Sequence, residues 1–111
     1  MIDLERRPPI VFVEPRTSLI RLARVDESLG LHLRVAARFA AMARRFAAEV
    51  RVRLDGAEAD GKSVLDLMCL GAACGAVLEL EARGEDAEAA LAALSAQLVA
   101  PPAEADGRPT D

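Results

Sequence analysis

The stretch VRVRLDGAEAD, residues 50–60, alternates apolar and charged side chains up to a turn signal, after which a shorter run follows. A period of two is typical of a β-strand with one buried face, so residues 50–54 are predicted to form a strand. Asp55 and Gly56 suit the two left-handed positions of a tight turn. The stretch therefore predicts a β-hairpin, with its second strand over residues 57–60.

The residues after the hairpin predict a helix, a strand and a second helix. Ser63 precedes an acidic residue by three positions, the pattern of a helix N-cap, so a short helix is expected up to about Leu70. Residues 77–83 alternate again and predict a strand. Residues 84–86, Gly-Glu-Asp, are expected to cap the final helix. The apolar stripe of that helix consists of Ala87, Leu91, Leu94 and Leu98.

The residues before the hairpin predict a strand followed by a helix. Residues 18–25 are apolar with scattered arginines and predict the first strand. Residues 26–30 break this pattern and are expected to end the strand. The stripe of the first predicted helix is formed by Val35, Phe39, Met42 and Phe46, at spacings of four, three and four. The order β-α-β-β-α-β-α, with polar strand faces and apolar helix stripes, predicts an α+β domain. Its four-stranded antiparallel sheet would be covered on one face by three helices.

Composition excludes several classes of function. The chain has 111 residues, of which 52% are hydrophobic and 29% charged, a composition typical of one globular domain. No apolar run approaches the ~20 residues that cross a bilayer, so no membrane insertion is expected. A net charge of -4 and only 3% aromatic residues speak against nucleic-acid binding. One histidine, with Cys69 and Cys74, is too few ligands for a typical zinc site, so neither metal nor cofactor is expected.

The two ends of the chain are predicted to lie outside the folded domain, which is expected over residues 18–100. Residues 1–17 form an N-terminal extension with three prolines, which exclude a helix, and without the basic start of a secretory signal. Within it, the run IVFV at 10–13 could add an edge strand or lie on the domain. Residues 101–111 have the composition of a disordered tail. We expect a cytoplasmic, monomeric protein.

The single histidine, His32, lies where the first predicted helix begins. A lone histidine there can be a plain surface residue or can hydrogen-bond to the helix start. The position also favours another role, because free N–H groups at a helix start attract anions. Arg34 adds a planar guanidinium that is well suited to binding phosphate. A nucleophilic ring beside these groups could carry a phosphoryl group.

The run GLHLRVAA, residues 30–37, resembles the active-centre sequence of the HPr family, the histidine phosphocarriers of bacterial phosphotransferase systems. Further landmarks follow at the family's spacing, without gaps over residues 18–100. They are Phe46, Glu49, Gly56, Gly61-Lys62-Ser63, Leu70-Gly71, Gly75 and Gly84-Glu85-Asp86. The resemblance implies an open-faced β-sandwich, whose element order is the one predicted above.

The resemblance also implies a reaction. His32 would accept a phosphoryl group on Nδ1 from enzyme I and pass it to an enzyme IIA-type acceptor, with Arg34 stabilising the phosphate. The chain would be a phosphocarrier and not an enzyme. It departs from the family at two positions: Leu33 stands where a small residue is usual, and Val35 where proline or alanine is common. Both departures bear on transfer rate and partner choice.

Ser63 matches a serine that many members carry as a regulatory phosphorylation site, which implies a serine kinase/phosphorylase as a further partner. The same serine is first of all expected to cap its helix. Val64, Leu65 and Met68 resemble the family's exposed partner-binding patch, although each could instead be partly buried in the core. Arg44 could meet an acidic partner face.

Two other hypotheses for the function stay open. One is a regulatory module of the same fold, phosphorylated at His32 and/or Ser63 without feeding sugar transport. The other is an unrelated α+β binding domain. A sugar permease partner, as opposed to a purely regulatory enzyme IIA, would distinguish the carrier from the regulatory module.

Overall fold

A computed structural model describes residues 18–99, and the predictions for residues 1–17 and 101–111 lie outside that range. Seven elements follow in the predicted order. They are β1 (Ser18–Arg24), α1 (Leu33–Ala43), β2 (Glu49–Leu54), β3 (Ala57–Asp60), α2 (Val64–Cys69), β4 (Val77–Arg83) and α3 (Ala87–Gln97). The folded range 18–100 stays a prediction.

The four strands form one antiparallel sheet in the order β1-β4-β2-β3. β2 and β3 form the predicted hairpin, and Asp55 and Gly56 in its turn have φ angles of 51° and 86°. β4 lies in the middle and pairs with β1 on one side and β2 on the other. The predicted α+β open-faced β-sandwich is therefore confirmed.

The core lies between one face of this sheet and the helices. Val50, Val52, Leu78 and Leu80 are fully buried, and they alternate along β2 and β4 with charged residues that face away. The helices contribute their apolar stripes, including Val35 and Phe39 of α1 and the predicted stripe of α3. All four residues of that stripe are buried: Ala87, Leu91 and Leu94 within α3, and Leu98 at its C-cap. No polar side chain within residues 18–99 is buried, so the core depends on apolar packing.

The uncovered face of the sheet carries an ionic network centred on Arg53. Its guanidinium contacts Glu79 at 3.0 Å on β4 and Glu81 at 2.5 Å two residues further along the same strand. The hydrogen bond from Arg53 lowers the pKa of Glu81, because it stabilises the carboxylate. The network links β2 to β4 on the side opposite the core.

Two predicted details are wrong. α1 ends at Ala43, so Phe46 belongs to the turn that follows and packs against the core from there. Asp86 occupies the N-cap position of α3, but its side chain does not cap that helix. Its carboxylate instead accepts hydrogen bonds from the N–H groups of Ala47 and Ala48, each at 2.8 Å. A contact to a loop 39 residues away replaces the local cap.

Candidate functional site

His32 is the N-cap residue of α1 and lies at the end of the turn that follows β1. Its carbonyl accepts the first helical hydrogen bond, from the N–H of Ala36 at 2.8 Å. Its half-buried side chain makes no capping hydrogen bond. Because the first N–H groups of a helix have no intrahelical acceptor, those of Leu33, Arg34 and Val35 are left beside the imidazole. An imidazole and several N–H donors thus share one corner of the molecule.

The turn that carries His32 is held by the loop between α2 and β4. The N–H of Leu31 donates to the carbonyl of Ala72 at 2.9 Å, and the N–H of Val25 donates to that of Ala76 at 2.8 Å. At Gly30 an added Cβ would lie 2.4 Å from the carbonyl oxygen of Ala72, so the two backbones are in direct contact. Gly30 also has a φ of +73°, which favours glycine. The sequence analysis did not predict this contact between the two loops. Gly30 and the nearby glycines were its only local sign.

The arginines on α1 differ in what they contact. Arg38 pairs with Glu27 at 3.2 Å and so ties α1 to the turn before His32. Arg34 is exposed, and none of the ion pairs formed within residues 18–99 involves it. Its guanidinium is therefore available to an anion placed near the start of α1.

α2 lies beside α1 and runs antiparallel to it. At one end of the pair, the N–H of Leu31, just before α1, donates to the carbonyl of Ala72, just after α2. At the other end, Nζ of Lys62, just before α2, donates to the carbonyl of Phe46, just after α1, at 2.9 Å. His32 and Ser63 consequently lie at opposite ends of the two helices. α1 alone is about 16 Å long, from 11 residues at ~1.5 Å each. The structure does not bring these two predicted phosphorylation sites together.

Ser63 caps α2 as predicted. Its hydroxyl oxygen accepts a hydrogen bond from the N–H of Asp66 at 3.2 Å. The Asp66 carboxylate in turn accepts from the N–H of Asp60 at 3.2 Å, so it joins the helix start to the end of β3. Ser63 therefore caps α2 in the structure. Whether it is also a regulatory phosphorylation site is a separate question.

The predicted partner-binding residues divide by exposure. Leu65 is 74% exposed and Met68 39%, whereas Val64 is half-buried and packs against the core. Arg44 is exposed at the C-terminal end of α1, at the Ser63 end of the helix pair. Leu65, Met68 and Arg44 are therefore accessible to a partner, and Val64 is so only in part.

Within residues 18–99, no group of three or more His, Cys, Asp or Glu side chains is arranged to hold a metal ion. Nor is any helix in that range long and apolar enough to cross a membrane. Cys69 and Cys74 are both exposed free thiols.

Comparison with known proteins matches residues 21–100 to the family model for the PTS HPr component phosphorylation site. A phosphocarrier protein HPr of Neisseria meningitidis is 43% identical over 71 residues, covering 64% of this chain and 80% of that protein. A multiphosphoryl transfer protein of Rhodobacter capsulatus is 55% identical over 51 residues, which are 46% of this chain and only 6% of that longer protein.

Among solved structures, the crystal structure of a phosphocarrier protein HPr from Bacillus anthracis is similar in fold, with a TM-score of 0.71 and 33% sequence identity. The similarity covers 73% of this chain and 96% of that one. Sequence and fold therefore agree on the same group of proteins.

Proposed function

Because this chain belongs to the HPr family, the phosphocarrier proteins of the phosphotransferase system, we propose that His32 is the residue that carries the phosphoryl group. The observation that supports this most directly is the start of α1. There the imidazole forms no capping bond and lies next to N–H groups that an incoming phosphate can accept from.

The proposed reaction has two steps. The Nδ1 lone pair of His32 attacks the phosphorus of phosphorylated enzyme I; a nitrogen–phosphorus bond forms on His32 as the bond to the donor breaks. An acceptor of the enzyme IIA type then attacks the same phosphorus and leaves the imidazole free again. The carrier supplies no turnover of its own, and its role is a cytoplasmic one.

Arg34 is proposed to stabilise the phosphoryl group during both steps. Its guanidinium is exposed close to the start of α1 and is not engaged by any carboxylate of residues 18–99, unlike that of Arg38. A charge-assisted hydrogen bond to phosphate contributes about 1.5–3 kcal/mol, which corresponds to a rate loss of roughly 10- to 150-fold when it is removed.

Ser63 is proposed to be a regulatory phosphorylation site for a serine kinase/phosphorylase, with partners docking on Leu65, Met68, Arg44 and the exposed part of Val64. A phosphoryl group on Ser63 would lie at the far end of the helix pair from His32. Since charges in solution are screened within about 8 Å at physiological ionic strength, it would act on docking and not on the transferring phosphate.

The experiment that tests the proposed function incubates the protein with enzyme I and phosphoenolpyruvate and measures its mass. The parent protein is expected to gain one acid-labile phosphoryl group, which His32→Ala abolishes while the fold is kept. Arg34→Ala is expected to slow transfer by the factor given above. Arg51→Ala, an arginine of the uncovered sheet face, serves as the control and should leave the rate unchanged. Acid-labile phosphorylation of the His32→Ala variant would refute the assignment.

A further inference from the structure

Two large apolar side chains are exposed on either side of His32. Leu29, in the turn before it, is 77% exposed, and Leu33, the first residue of α1, is 59% exposed. Exposed apolar patches mark sites that bind another molecule, and these two leucines flank the imidazole within five residues of the chain. The leucines therefore call for an explanation beyond the chemistry of the imidazole.

Leu33 has no part in the core of this domain. Its neighbours Leu31 and Val35 are 5% and 1% exposed and belong to the core, whereas Leu33 is neither in the core nor packed against it. Its side chain thus contributes little apolar burial to the folded state. Of the apolar residues from 31 to 35, only Leu33 is accessible to a partner.

The leucines lie in a setting that an apolar and acidic surface would complement. The hydrogen bond from the N–H of Leu31 to the carbonyl of Ala72 places the start of α1 beside the end of α2. Met68, in the last turn of α2, is also partly exposed there. Arg34, which forms no ion pair within residues 18–99, follows Leu33 directly. Apolar contacts flanked by a cation fit a partner with an apolar recess bordered by acidic side chains.

We infer that Leu33, together with Leu29, selects the phosphoryl donor of this chain: an enzyme I with an apolar recess facing the residue after the histidine. The inference rests on the proposed function. His32 can reach the donor's phosphorus only if the residues beside it become buried in the complex. Burial of Leu33 strengthens docking where the facing surface is apolar, and weakens it where that surface leaves polar groups unpaired.

The test measures KM and kcat for phosphorylation of the carrier by two enzymes I. One comes from the organism that encodes this chain; the other comes from a system whose own carrier has a small residue after its histidine. Leu33→Ala is compared with Ile20→Ala. Ile20 is 58% exposed and pairs with Glu81 on the uncovered face of the sheet, so it matches Leu33 in exposure but not in location. Leu33→Met keeps an apolar side chain of similar size. It is the control for any effect that a substitution at position 33 has on folding.

With its own enzyme I, Leu33→Ala is expected to raise KM on the order of tenfold and to leave kcat within about twofold. Leu33→Met and Ile20→Ala should both keep the KM of the parent. With the second enzyme I, Leu33→Ala should lower KM. This reversal between donors is the signature of a specificity residue, since general damage to the fold would weaken docking to both.

Three results would overturn the inference. The first is an unchanged KM for Leu33→Ala with its own enzyme I, the second an equal change in Ile20→Ala, and the third a fall in kcat at constant KM. If the parent protein is not phosphorylated at all, the proposed function fails and the inference fails with it. Phosphorylation of the parent with no effect of Leu33 refutes the inference alone.

Discussion

Replacing Gly30 by alanine tests whether the contact between the His32 turn and the loop after α2 holds the candidate site in place. The new Cβ would lie 2.4 Å from the carbonyl oxygen of Ala72 and 2.9 Å from the Cα of Ala73. Both neighbours are backbone atoms, so neither can rotate away as a side chain would. One of the two segments must move, and the hydrogen bond from Leu31 to Ala72 is lost or stretched.

The expected loss of stability has three parts. Alanine in the left-handed region costs about 1 kcal/mol relative to glycine. Forcing an additional methyl group into a closed contact costs about 1–3 kcal/mol, and the weakened hydrogen bond about 0.5–1.5 kcal/mol. Gly71→Ala is the matched control, because Gly71 has a similar φ of +66° and no heavy atom within 4 Å of its added Cβ. The loss of unfolding free energy in Gly30→Ala should therefore exceed the loss in Gly71→Ala by about 1.5–4.5 kcal/mol.

Urea unfolding of both variants measures this difference as a change in midpoint at constant slope. In parallel, the rate of phosphorylation by enzyme I should fall in Gly30→Ala and stay near the parent value in Gly71→Ala. Equal stabilities for the two variants, to within about 0.5 kcal/mol, would refute the reasoning, because the close contact at Gly30 would then have no energetic weight.

Three further predictions follow from other residues. The N–H groups of Ala47 and Ala48 lower the pKa of Asp86, so its contribution to stability is complete above about pH 4 and is lost as the pH falls through the lowered pKa. Urea unfolding should accordingly show Asp86→Asn less stable than the parent at neutral pH and converging with it in acid; a gap that persists in acid would contradict this. Ser63→Asp should raise KM for enzyme I with little change in thermal stability, because aspartate also caps helices; unchanged kinetics would remove Ser63 as a switch. Val35→Pro should stay within about 1 kcal/mol of the parent in thermal melts and keep the phosphotransfer rate, because the first turn tolerates proline; a loss of several kcal/mol would show that the buried side chain outweighs the backbone.

The strands and the capped helix could be predicted because their signals are local. The alternation over residues 50–54 places successive side chains on opposite faces, and only one face can be buried, so the pattern and the burial agree. The turn at Asp55 and Gly56 and the cap at Ser63 likewise depend on residues within a few positions of each other. The resemblance of residues 30–37 to a phosphocarrier active centre was also contained in a short continuous stretch.

The sequence by itself therefore determined the element order, the buried faces and the candidate residues at the start of α1. Only the tertiary structure decided what holds them: the Ala72 carbonyl beneath the His32 turn, the Asp86 carboxylate at the α1–β2 loop, and the placement of Ser63 at the opposite end of the helix pair. Each of these joins segments that are distant in the chain, and their pairing follows from the packing of the helices on the sheet. No period or local propensity in the sequence encodes such a contact, because it exists only once the core has brought the two segments together.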